Sequence, residues 1–283
     1  MEINFNSSNM GELIIKEVPK SIAKELIIKN HYSHKWNTGF GKINFGIFKK
    51  DNEECLGVAV FGNLMHPKSF KNINSEINQD EIIELNRMWI DDVLGHNAES
   101  ILISKSFKIM KAKYPYIKIV QTFADGRLGC GTIYKATNFR YYGYKSTLFI
   151  EDIDSKEIHH DVVIHNARRY NKMIHLLERY ALGRLRFFKV KTYRYLYILD
   201  RKYIKSVVLK EQPYPAYDKG QIPCEYKPSL NSLVKAYIIQ KELNRDTTIL
   251  KDYIYNSFPL TDIEKSIINA YNNEFVKMAI AKK

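Results

Sequence analysis

EIIELNRMWI (residues 81–90), DDVLGHNAES (91–100), ILISKSFKIMKAKYP (101–115), IKIVQTFAD (117–125), TIYKATNF (132–139) and YYGYKSTLFIED (141–152) follow one another with little between them. The first is an apolar run that suits a buried strand. The third carries Ile101, Ile103, Phe107 and Met110 as a helical stripe. Asn97 or Ser100 is placed to cap it, and Pro115 lies beyond its end. Residues 117–125 form the continuous apolar run of a central strand. A turn with Gly126, Gly129 and Gly131 leads into a short helix, and 141–152 reads as a strand. Strand–helix–strand–helix–strand predicts a mixed α/β sheet.

Working outward, residues 12–18 alternate weakly and predict a strand. Pro19 and Ser21 open a helix over roughly 20–30. His31-Tyr32-Ser33-His34 follows, then a loop with Trp36, Gly39 and Gly41. Residues 44–50 and 55–62 read as strands joined by a DNEE turn. On the C-terminal side, residues 162–182 are mostly helical in pattern and 184–202 are β-rich. Residues 212–223 form a Pro-punctuated linker, and 228–283 read as amphipathic helices.

Composition narrows the function classes. The chain has 283 residues, with 44 Lys and Arg against 31 Asp and Glu, a formal charge of +13. Its 20 Tyr and 14 Phe supply too much apolar area for a disordered chain. Cys55, Cys130 and Cys224 are too widely spaced for a zinc clip or a disulfide framework. No secretory signal and no membrane-spanning run is read, so a cytoplasmic protein without a membrane partner is expected. The positive charge favours a polyanionic partner, although Lys-rich codon usage would produce the same excess.

Several residues have the chemistry of a site. Asp125 ends a central strand, where ligands of α/β sheets bind; the other reading is a turn or cap Asp. Tyr134 has a pKa suited to protonating a thiolate, or it is a core aromatic. His31 and Tyr32 end the first helix; the imidazole suits a base or a metal ligand, or a helix cap. His31 and His34 form an HxxH pair. On an unbroken strand Glu84 and Arg87 fall on opposite faces. Arg87 suits a phosphate and Glu84 the reacting region, with a structural ion pair the alternative. The helix start at Asn97 and Ser100 suits an anion. His165 is followed by Arg168 and Arg169. Residues 184–202 hold seven Lys and Arg against one Asp, with Phe187, Phe188, Tyr193, Tyr195 and Tyr197 interleaved. Of these, Arg184, Arg186, Lys189, Lys191 and Arg194 suit phosphates. The aromatics suit base stacking, or they are core.

TIYKATNFRYYGY resembles the Tyr-x-x-x-Gly-Phe ending of the GNAT fold of N-acetyltransferases, with Asn138-Phe139 standing for Gly-Phe. Read in order, HYS (31–33), FG (61–62), ELNRM (84–88), N-x-E-S (97–100), FAD (123–125), GTIY-x-A (131–136) and the aromatic-Gly pair at 141–143 resemble the Mom family of phage DNA-modification proteins. The resemblance covers about 12–150 well and 151–215 more loosely. It implies a GNAT-like fold with a mixed, largely antiparallel central sheet flanked by helices. A catalytic domain is then expected over 1–215, with a helical C-terminal extension over 216–283. The implied activity is modification of the N6 amino group of adenine in double-stranded DNA with a methylcarbamoyl-type group, protecting that DNA from restriction. The base would have to be flipped out of the helix. The rival reading is a conventional acyl-CoA-dependent N-acyltransferase acting on a protein or a small-molecule amine. A non-enzymatic rival is a DNA-binding protein on a degenerate acyltransferase scaffold.

The family's associated cofactors are acetyl-CoA, or a related acyl-CoA, and iron. The implied catalytic set is Asp125, Tyr134, His31, Tyr32 and Glu84. Arg87, Asn97, Ser100 and Asn138 would hold the cofactor, and His31 and His34 the metal. Arg168, Arg169, Arg184, Arg186, Lys189, Lys191 and Arg194 would meet the nucleic acid. The C-terminal helices leave three readings open: a homodimer face, a DNA clamp or a site for a host factor.

Overall fold

A computed structural model describes residues 1–7, 11–50, 54–160, 173–217 and 220–270. The strands are β1 (Glu2–Ser7), β2 (Gly11–Glu17), β3 (Ile43–Lys49), β4 (Cys55–Gly62), β5 (Ile82–Ile90), β6 (Ile119–Asp125), β7 (Arg140–Asp152), β8 (Ile158–His160), β9 (Leu185–Ile198) and β10 (Gln221–Pro223). The helices are α1 (Lys20–Asn30), α2 (Ala98–Lys113), α3 (Thr132–Ala136), α4 (Met173–Ala181), α5 (Leu230–Glu242), α6 (Thr248–Ser257) and α7 (Asp262–Ala270). The fold class is the expected one, a mixed α/β structure with a mostly antiparallel sheet and C-terminal helices. β1 was not read from the sequence. It pairs antiparallel with β2, and charged and polar residues break its pattern.

The chain divides into two compact units. One comprises Met1–Lys145 and Lys191–Gly220, the other Ser146–Val190 and Gln221–Lys283. The boundary expected at 215–216 divides the chain by function; the compact units group 146–190 with the C-terminal helices instead.

In the first unit the strand order is β1-β2-β3-β4-β5-β6, then the unit's parts of β9 and β7. Neighbours from β1 to β5 are antiparallel, β5 and β6 are parallel, and β6 and β9 are antiparallel. Both faces of this sheet are covered, which is why β4 is buried almost throughout. Val58 and Val60 pack with Ala23 and Ile27 of α1. Ala59 and Phe61 point the other way, to Leu102, Ile103, Phe107 and Met110 of α2.

In the second unit β7 pairs antiparallel with β8, and β9 with β10. Its core joins Ile150, Leu177 and Phe187 to Leu233, Ala236, Leu250, Ile254 and Ile268 from the helices. Ser229 caps α5, its Oγ accepting from the Ser232 N–H. Among the described residues no helix is long and apolar enough to cross a membrane.

Candidate active site

The site lies where two parallel strands part. β5 and β6 stay in register only for Ile82–Ile119, Ile83–Val120 and Glu84–Gln121. Beyond that point β5 remains paired with β4, and β6 with β9. Thr122 Oγ1 donates to the Leu85 carbonyl (3.2 Å) at the fork. A cavity of about 650 Å³ opens past it, lined by His31, Tyr32, Arg87, Asp125 and Tyr134 among others. Three chain segments, far apart in sequence, thus deliver five of the predicted residues to one space.

A β-bulge corrects one expectation. Gly62 faces Glu84 and Phe61 faces Leu85, but Val60 faces Arg87, so Asn86 is an extra residue in β5. The alternation slips by one, and Glu84 and Arg87 share a face instead of lying on opposite ones. Asn86 Nδ2 donates to the Asn63 carbonyl and to Glu84 Oε1, each at 3.1 Å. A side chain at Gly62 would come within 2.5 Å of Asn86 Oδ1, so the bulge requires glycine there.

Glu84 is placed behind the cavity. It is buried and does not line it. Its carboxylate accepts from Gln121 Nε2 (2.9 Å), Asn86 Nδ2 and the Met65 N–H (3.4 Å). Burial raises its pKa, and those hydrogen bonds and Arg87 oppose the rise. Arg87 does line the cavity. Its guanidinium lies 4.8 Å over the Phe40 ring, and its Nε is buried without a partner.

Asp125 ends β6. Its carboxylate accepts from the Arg127 backbone N–H (3.0 Å) and from the Arg127 guanidinium. Burial pushes its pKa up, but the bonds and charge of Arg127 outweigh that and hold it below the usual carboxylate range. The Tyr32 hydroxyl donates to the same carboxylate (3.4 Å). Burial of that hydroxyl end, with the Asp125 charge, raises the Tyr32 pKa.

His31 is buried, and burial with the nearby Arg87 charge pushes its pKa down to about 4. Its Nδ1 accepts the Ser33 backbone N–H (3.1 Å), so the neutral ring carries its proton on Nε2. The Ser33 hydroxyl lies 2.8 Å from the same nitrogen. Tyr134 packs on Phe139 (5.4 Å) and Tyr195 (5.3 Å), and burial raises its pKa. It thus packs as a core aromatic and also lines the cavity.

Three cofactor candidates lie outside this cavity in the same unit. Ser100 and Asn138 line a separate groove with Ser104, Lys108, Lys111 and Tyr197, about 340 Å³ in volume. Asn138 has φ 61°, the left-handed conformation that favours glycine and tolerates asparagine. That conformation explains why Asn stands where the N-acetyltransferase ending has Gly. Asn97 precedes α2 with φ 67° and makes no side-chain cap; Ser100 Oγ donates to its carbonyl (2.9 Å).

The metal expectation finds no support in the donor set. His34 Nδ1 is 2.9 Å from the Ile28 carbonyl, and His31 Nδ1 is taken by Ser33. Among the described residues no group of three or more His, Cys, Asp or Glu side chains comes together.

The basic–aromatic stretch is also corrected in part. Phe187, Phe188, Tyr193 and Tyr195 are buried, and Tyr197 packs against Phe107 and Phe139. They are core side chains and present no faces for bases. Arg184, Arg186 and Lys189 are exposed, while Lys191 and Arg194 are half-buried. Arg186 pairs with Glu151, and Arg194 lies 5.4 Å over the Phe123 ring. Arg168 and Arg169, with His165, fall outside the described residues.

The sequence reading missed Arg127, Leu128, Cys130 and Tyr217, all at or beside the cavity. They come from a turn and a linker, where no periodicity marks a role. The only cue in the sequence was the Asp-Gly-Arg spacing at 125–127.

Among solved structures the chain is similar to the ribosomal-protein-S5-alanine acetyltransferase from Vibrio fischeri, at 9% identity and TM-score 0.39, over 70% of this chain and 97% of that one. It is also similar to the spermidine/spermine N-acetyltransferase SpeG from Vibrio cholerae, at 10% identity and TM-score 0.37, over 69% and 96%. Among curated proteins it is 31% identical to the methylcarbamoylase Mom of Escherichia phage Mu over 209 residues, 72% of this chain and 84% of that protein. The Mom protein family model matches residues 12–216, and on that match the chain belongs to the Mom protein family.

Proposed function

We propose that this protein is a DNA-modifying transferase that places a methylcarbamoyl-type group on the N6 amino group of adenine in DNA, shielding that DNA from restriction. Family membership and the similarity to the phage Mu methylcarbamoylase support the reaction class. The observation that carries the reading is the convergence of His31, Tyr32, Arg87, Asp125 and Tyr134 on one cavity.

The amine of adenine is a weak nucleophile, because its lone pair is delocalised into the ring. Asp125, ionised and clamped by Arg127, accepts a hydrogen bond from the amine N–H and orients it. Its low pKa makes orientation the larger part of its work. The Tyr32 hydroxyl keeps the carboxylate in place. Neutral His31 offers Nε2–H as a donor to a polarised carbonyl. Tyr134 keeps its proton at neutral pH, the state required of a donor to a departing thiolate.

An acyl-CoA fits the residues present. The Arg87 guanidinium lines the cavity and would offer positive charge to a phosphate or an acyl carbonyl, and the forked strands leave room for a thioester. Ser100 and Asn138, in the groove with Lys108 and Lys111, would hold the phosphates, near the α2 start at Asn97. When bound, a CoA thioester would supply an activated carbonyl carbon and a thiolate leaving group; for a methylcarbamoyl product the group it carries must already contain the methylamino nitrogen, which an acetyl group lacks. Among the described residues no third His, Cys, Asp or Glu side chain joins His31 and His34, and no step here is routed through a metal.

DNA suits the charge. The first unit holds 27 Lys and Arg against 18 Asp and Glu, a net +9. In the second unit Arg184 and Lys189 are exposed for phosphate contact, while Arg186 is exposed but paired with Glu151. The test is mass spectrometry of nucleosides from plasmid DNA of bacteria expressing the protein, against an empty vector. A new adenosine-derived mass is expected. Its absence, with transfer to a protein or small amine detected instead, would replace this reading by a conventional N-acyltransferase.

A further inference from the structure

The rim of the cleft carries side chains that the chemistry above leaves unused. Leu128 is 64% exposed and Tyr217 69% exposed, and both line the cavity beside Tyr32, itself 52% exposed. Tips of turns are ordinarily polar, because their backbone and side chains face water. Here an aliphatic side chain stands at such a tip, and its backbone is locked from both sides. The N–H groups of Leu128 and Gly129 both donate to the Asp125 carbonyl (2.8 and 3.2 Å). The Arg127 N–H donates to the Asp125 carboxylate. Gly126 N–H donates to the Lys191 carbonyl (2.8 Å), and Lys191 N–H to the Gly220 carbonyl (3.0 Å). The turn is therefore a stiff mount for one exposed apolar side chain, one residue from the Arg127 cation and at the mouth of the Asp125 cleft.

We propose that Leu128 is the wedge that enters the duplex where the target adenine leaves it, with Tyr32 and Tyr217 as the aromatic surfaces that meet the everted base. The proposal rests on the DNA reading above and names how that substrate is opened. A base whose amino group is to react must leave the stack, at a cost of a few kcal/mol. An apolar side chain between base steps offsets that cost, and it needs a rigid backbone behind it. Leucine brings no polar atom that would have to be desolvated inside the stack. The net +9 charge of this unit matches the duplex that would surround the wedge.

The test uses the full chain and two duplexes of a sequence found modified in cells. One is fully paired; in the other the target adenine faces an abasic site. Leu128→Ala is expected to bind the paired duplex about tenfold more weakly than wild type, and the abasic-opposed duplex within about twofold. Leu128→Met should match wild type on both. Permanganate, which oxidises unstacked thymines, should attack the thymine opposite the target adenine under wild type and spare it under saturating Leu128→Ala. Equal losses on the two duplexes, or a thymine opened equally by both proteins, overturns the wedge. A wild type that leaves adenine unmodified in cells overturns the DNA reading instead, and that result is separate from both binding measurements.

Discussion

The cavity at the fork between β5 and β6 and the strand β9 hold similar side chains, Tyr and Arg above all, and use them in opposite ways. β9 has β6 beside it, residue against residue from Thr192 to Ile198. Its tyrosines enter the core on one face, and Leu196 enters a second cluster on the other. At the fork β6 loses its neighbour on the β5 side after Gln121. Asp125 and Arg87 then face a cavity. The tyrosines of β9 are structural because they are packed into the core on the face of the sheet, whereas Arg87 and Asp125 line the opening left where β5 and β6 part.

Four substitutions test that contrast, from the largest expected effect to the smallest. Tyr134→Phe keeps the ring packing on Phe139 and Tyr195 but removes the proton. Modified adenosine should fall about 100-fold or more, with DNA binding and thermal melting unchanged. A loss of melting temperature instead would make Tyr134 a core residue only. In β9 the prediction is reversed. Tyr195→Ala should cost about 3–5 kcal/mol in denaturant unfolding, through the cavity it leaves and the Cys130 carbonyl it orphans. A selective loss of DNA binding, with stability kept, would restore the stacking role.

His31 provides a pH test. Its folded pKa of about 4 lies below the ordinary 6.5, so the unfolded chain takes up a proton that the folded chain refuses. The protein should lose about 2–3 kcal/mol of stability as pH falls from 6.5 to 4, and be indifferent to this group above 6.5. His31→Gln should flatten that part of the profile; an unchanged slope would show that the imidazole is not buried neutral. The smallest effect is on the exposed cations. Lys189→Ala should weaken DNA binding a few-fold and lower the salt slope by about one, with the modification chemistry intact at saturating DNA.

Much of the fold was legible. The helix opening at Pro19 and Ser21 and the apolar runs at 55–62 and 117–125 are plain in the sequence, and α1, β4 and β6 follow them closely. The candidate site was legible as a set of residue types at strand ends, yet its assembly was not. The bulge at Asn86 reverses the face of Arg87 relative to Glu84, and only the pairing with β4 reveals it. The clamp of Arg127 on Asp125 lies within a turn, where side-chain direction follows from local hydrogen bonds with no repeat to mark it. Tyr217 arrives from a linker whose proline-rich sequence reads as a spacer. For β9 the reading of 184–202 counted charges and rings correctly but had no way to see that the strand is flanked.

The central claim is that the cleft at the end of β6 performs the reaction on DNA, and Asp125 tests it most directly. Nucleosides from plasmid DNA are compared by mass spectrometry after expression of wild type and Asp125→Ala at matched levels, with DNA binding of both proteins measured alongside. The account predicts a new adenosine-derived mass with the wild type, a yield at least about 100-fold lower with Asp125→Ala, and DNA affinity within about threefold. The same modified nucleoside in equal yield from both proteins would contradict it.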